Sequence, residues 1–84
     1  MPTLKVYTIR DAKAECYLAP FTFRTDGEAI RAFGDSASDG KTTLSQHPED
    51  YYLIRIGEFD VEKGEIAPCA PVSLACALDF KKGE

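Results

Sequence analysis

The sequence predicts a small α+β domain: an antiparallel sheet in ββαββ order with one helix packed across one face. Three observations carry this. Leu4 to Ile9 alternates with the period of a strand. The segment TDGEAIRAFGD, from Thr25, is a capped amphipathic helix. The segment from Tyr51 to Phe59 is an aromatic-rich strand that runs into a glycine-terminated hairpin loop. With 84 residues the chain makes a single domain, 1–84, and its structure is poorly determined by sequence from about residue 68.

In the first strand, Leu4, Val6 and Thr8 point one way, and Lys5, Tyr7 and Ile9 the other. Asp11, Ala12 and Lys13 form a polar turn. Glu15 to Phe23 is the second strand of a hairpin, interrupted by Pro20 and therefore placed at an edge or bulged there. Thr25 and Glu28 make a capping box, the hydroxyl accepting from the Glu28 amide and the carboxylate returning to the Thr25 amide. Ala29, Ile30, Phe33 and Ala37 share the inner helix face, while Glu28, Arg31 and Asp35 face water. Asp39 and Gly40 end the helix, and Lys41 to Gln46 reads as a loop.

The third strand places Tyr51, Leu53, Arg55, Gly57 and Phe59 on one side and Tyr52, Ile54, Ile56 and Glu58 on the other. Asp60 to Gly64 is the hairpin loop, with Gly64 at a left-handed position and a short return through Glu65 and Ile66. Pro68 and Pro71 bracket an extended connector. Val72 to Phe80 fits a short helix or a strand equally, and the terminal KKGE reads as a frayed end.

Composition narrows the function. The formal net charge of -4 disfavours strong, non-specific binding of nucleic acid without excluding a local basic face. Three cysteines without regular spacing and no charged-then-apolar opening segment point to a soluble protein in a reducing cytoplasm. No apolar run approaches the ~20 residues of a membrane helix. His47, next to Pro48, has no nucleophile or orienting partner in the pattern, so enzymatic activity is not expected. Cys69 and Cys76 lack the companions of a zinc site, and no glycine cluster cradles a phosphate, so neither metal nor cofactor is expected.

One constellation has a binding rationale. Lys5 and Tyr7 share a face of the first strand, Tyr17 and Arg24 lie on or beside the second, and Tyr51 and Arg55 share a face of the third. With Arg10 and Lys13 in the first turn and Arg31 on the helix, these residues form a candidate interface for single-stranded DNA: rings stack on bases and cations track phosphates. The other reading of the same aromatics is core or cross-strand packing.

The strings GEAIRAFGD (Gly27 to Asp35) and SQHPEDYYLIRIGEFDVEKGEI (Ser45 to Ile66), with Ile9-Arg10-Asp11 and Pro20-Phe21 before them, add a further indication. In order and spacing they resemble the small non-structural protein of gokushovirus-type microviruses, the compact single-stranded DNA phages. The likeness spans about Val6 to Pro71; the tail carries no family signature. It implies a phage protein of the host bacterial cytoplasm, non-enzymatic, acting in viral DNA replication or in single-stranded genome synthesis and packaging. Single-stranded DNA is one implied partner. The alternative is an adaptor that contacts the replication initiator, the procapsid or a host factor without touching DNA. A second copy of the chain is compatible with either, because the domain is small and the third strand is apolar on both sides.

Overall fold

The computed structural model describes residues 3–80. Strands β1 (Thr3–Asp11), β2 (Cys16–Tyr17) and β3 (Phe21–Phe23) precede helices α1 (Asp26–Ser38) and α2 (Thr43–Gln46). Strands β4 (Tyr51–Asp60) and β5 (Glu65–Cys76) follow, with 3-10 turns at Pro48–Asp50 and Ala77–Phe80. All five strands join one antiparallel sheet: β2 and β3 lie end to end along one edge of β1, then come β4 and β5. The architecture is α+β with one main helix. The element order departs from ββαββ in two respects: Pro20, whose ring cannot donate to the ladder, splits the second strand into β2 and β3, and the short α2 follows α1 where a loop was expected.

The hairpin turn is built as its residues dictate. Asp11 Oδ1 accepts from the amides of Lys13 and Ala14, both at 3.1 Å, and Glu15 takes the left-handed conformation at φ 58°. At the helix start, Thr25 Oγ1 accepts from the Glu28 amide at 3.1 Å. The Glu28 carboxylate returns not to Thr25 but one residue earlier, to the Arg24 amide at 3.2 Å. The polar stretch after α1 holds the one-turn α2, capped by Thr42 Oγ1 on the Ser45 amide; so short a helix leaves little periodic trace.

Two expectations about the second half are corrected. First, β4 does not keep one phase. Val6 pairs with Gly57 and Tyr7 with Arg55, so Ile56 is an extra, bulged residue. Tyr51, Leu53 and Arg55 face the helix, opposite Asp11, Ile9 and Tyr7. Past the bulge Glu58 and Asp60 take that side, and Gly57 and Phe59 cross to the other. A one-residue insertion flips every side chain beyond it. Second, Pro68 and Pro71 do not bracket a connector. They lie within the 12-residue β5, which is an edge strand where missing donors are tolerated. Gly64 is left-handed as expected, at φ 68°. The predicted fraying of KKGE concerns residues 81–84, outside the described residues.

The core lies between α1 and the sheet. Tyr7, Leu53, Ala29 and Ala77 are fully buried, with Phe33 and Ala37 nearly so. Tyr7, Phe21 and Phe23 form an aromatic triad with ring centroids 5.9–6.2 Å apart. The C-terminal turn closes one end: the Phe80 ring lies against Gly34, where an added Cβ would fall 2.7 Å from it, and edge-on to Phe33 at 6.0 Å. The distal β4–β5 hairpin projects past this core. Residues 61–73 are all exposed. The radius of gyration of 13.3 Å exceeds the about 12 Å of a compact domain this long.

Candidate functional site

Three places on the fold are candidates, and the nine cationic and aromatic residues that the sequence singles out divide between the first two. On the helix side, Tyr7 is sealed in the core and donates its hydroxyl to Asp26 Oδ1 at 2.8 Å. Arg55 pairs with the other oxygen of the same carboxylate. Asp26, the first residue of α1, also sits where the helix dipole favours an anion. Burial pushes the Tyr7 phenol well above its ordinary range, and the adjoining Asp26 carboxylate adds to that. For Asp26 itself, partial burial pulls upward, but the hydrogen bonds from Arg55 and Tyr7 outweigh it and hold the carboxyl below its usual value. The Asp26 hydrogen bond in turn raises the Arg55 guanidinium.

This network corrects the stacking reading at two positions. Tyr7 and Tyr51, 0% and 7% exposed, present no ring face to a base. Burial, followed by Asp11, raises the Tyr51 phenol. The nearby cations are also engaged: Arg55 by Asp26, Lys5 by Glu58 at 3.9 Å, and Arg24 by Glu28 at 3.8 Å. Arg31 is exposed on α1, beside a hollow it shares with Asp35, Asp39 and Phe80.

The second place is the opposite, outer face of the sheet. Arg10 lies 5.3 Å from the centroid of the Tyr17 ring, and Tyr17 is 55% exposed. Lys13 stands on the adjoining exposed turn. The link between β2 and β3 is drawn across this face, with the Leu18 carbonyl accepting from Thr8 Oγ1 at 2.7 Å. Tyr17, Leu18, Pro20, Ile56 and Pro71 then wall an open hollow of about 360 Å³, with Thr8 at its floor. Its lining is almost wholly carbon. Sequence reasoning did not find this hollow, because the Ile56 bulge and the strand path of Pro71 create it.

The third place is the projecting hairpin, where Glu58, Asp60, Glu62 and Glu65 surround a single Lys63. Asp60 Oδ1 is committed to the turn, accepting from the amides of Glu62 and Lys63 at 2.9 and 3.1 Å. Elsewhere, the side chains of His47, Glu49 and Asp50 bring ligand atoms within 4.8 Å of one another. Lys13 borders the same hollow as His47 and Asp50, which disfavours a cation there. Among the described residues no helix is long and apolar enough to cross a membrane.

The described residues form a small two-layer α+β domain with a split edge strand and an acidic hairpin. The comparisons give its kinship: the Phage ORF5 protein family matches residues 4–80, and the chain belongs to that family. It is 41% identical over 66 residues to Protein ORF5 of Chlamydia phage 1, a match covering 74% of this chain and 69% of the phage protein. The likeness to a small protein of gokushovirus-type phages, expected from the GEAIRAF and PEDY segments, therefore holds. No solved structure matches.

Proposed function

We propose that this chain is a non-enzymatic phage accessory protein that acts in the host cytoplasm by docking a basic protein partner through its acidic hairpin. The observation that carries the reading is the hairpin itself, a β ribbon that extends beyond the core and carries Asp60, Glu62 and Glu65 against Lys63, with Glu58 at its base facing Lys5. Such a surface repels DNA and steers a basic partner. The state of the cations supports the same reading, since Lys5, Arg24 and Arg55 are already matched by carboxylates. Partners of this chemistry include basic surfaces of a replication initiator, a procapsid protein or a host factor. Tyr7 is buried, and the partly exposed Asp26 and Arg55 are spent on it and on one another, as suits a structural network.

The test is a pull-down from infected cells with Glu62→Lys and Glu65→Lys, which spare the turn-forming Asp60 and the Glu58 that faces Lys5. The expected result is loss of a partner that the unaltered chain recovers. Unchanged recovery overturns the reading.

A second reading, contact with single-stranded DNA, is favoured by one observation: the exposed Tyr17 ring with Arg10 over it and Lys13 close by in sequence. Fluorescence anisotropy of a labelled oligonucleotide across a salt series tests it. Binding at low salt that weakens steeply with added salt and disappears in Tyr17→Ala would establish it; no binding at low salt would remove it.

A further inference from the structure

We propose that the outer face of the sheet is the contact surface of a homodimer, in which two copies pack face to face. The twofold axis lies between the sheets and runs across the strands.

The face has the chemistry of a buried layer. The register places Leu4 and Val6 of β1, Ile54 and Phe59 of β4 and Ile66 of β5 on it, and Ile56 adds to it at the bulge. Arg10 is its one charged side chain among the described residues, lies at one end and is laid over Tyr17. Val6 and Ile54 are shielded at the bottom, whereas Tyr17 is 55%, Leu18 41% and Ile66 66% exposed. Among the described residues no helix covers this side: α1 is spent on Tyr7, Leu53 and their neighbours.

The extent is right for a stable pair. A β1-length strand spans about 30 Å, and four strand positions span about 19 Å, a footprint of about 600 Å² before side-chain relief. A stable interface buries about 600–1,000 Å² per partner. Pairing through the sheet edges is disfavoured. Pro68 and Pro71 interrupt the donor row of β5, and the opposite edge is broken between β2 and β3 around Pro20. Face-on association is what remains.

Charge selects the axis. An axis along the strands would set the two acidic hairpins side by side, and like charges would oppose it. An axis across the strands sends them to opposite ends and sets β5 against β5, with Ile66 of one copy toward the Ser73–Cys76 end of the other.

Analytical ultracentrifugation of the full chain tests the proposal. The unaltered protein should sediment as a dimer. Ile66→Lys alters a side chain that packs little within its own protomer; it should raise the dissociation constant about tenfold or more and leave the far-ultraviolet circular dichroism unchanged, and Ile56→Glu should do the same. A monomer at every concentration, or a dimer that survives both changes, overturns the proposal. Because Glu62 and Glu65 are left intact, this result is independent of the pull-down from infected cells.

Discussion

On the helix side of the sheet, Leu53 has no exposed surface and Tyr7, Asp26 and Arg55 satisfy one another. One residue along the same strand, Ile54 turns to an outer side where Leu18 and Ile66 still meet water. The two sides are made of the same strands and are comparably apolar, so composition does not separate them. What separates them is the helix. A chain of this length has one long α segment, and its Ala29–Phe33–Ala37 stripe covers one side only. The uncovered side is crossed by a loop, Leu18 to Pro20, and its Leu18 and Ile66 side chains stay exposed.

That contrast sets the size of mutational effects. Leu53→Ala opens a cavity under α1 and should cost about 2–5 kcal/mol in chemical denaturation, whereas Ile66→Ala should change protomer stability by less than about 0.5 kcal/mol. Similar losses at both sites would mean that the two sides are equally packed. Gly57→Ala should cost about 1–3 kcal/mol, because the added Cβ would lie 2.6 Å from the Ala67 carbonyl oxygen and 3.2 Å from Pro68 Cα. Its melting temperature should fall, with the loss of amide protection concentrated in the hairpin.

Asp26→Asn leaves Arg55 without its counterion and should cost about 1–2 kcal/mol at neutral pH, since the pair is partly exposed. The sign of its pH dependence follows from the lowered carboxyl of Asp26. The contribution is complete above the unfolded value of about 4 and is lost as pH falls through the folded value, so mutant and parent should converge in acid. A gap that persists unchanged at low pH would assign the loss to packing. Thr25→Ala should cost about 1 kcal/mol through the lost cap on the Glu28 amide, measured by thermal melting.

Local chemistry was readable in the sequence wherever one residue suffices to make a structure. Thr25 caps α1, Pro20 breaks the edge strand, Gly64 takes the left-handed position, and the alternation from Leu4 to Ile9 sets the two faces of β1. What stayed hidden depends on pairing between distant segments. The bulge at Ile56 exists because β1 and β4 keep register on both sides of it, and no spacing within β4 alone reveals an extra residue. The strand through Pro68 and Pro71 exists because β4 offers it an edge. The site residues followed the same rule. Tyr7 and Tyr51 alternate correctly for a surface, but the helix comes down on their side. Asp26, which binds both Tyr7 and Arg55, lies 19 and 29 residues from them and carried no signal beyond its helix-start position.

Every contact proposed for the outer side requires that it be uncovered within one subunit. Methyl NMR with a soluble paramagnetic probe, followed across a dilution series, examines this directly. In dilute solution the Leu18, Ile56 and Ile66 methyls should be strongly relaxed by the probe, while those of Leu53 stay protected at every concentration. Protection of Leu18 and Ile56 equal to that of Leu53, persisting to the lowest concentration measured, would contradict it.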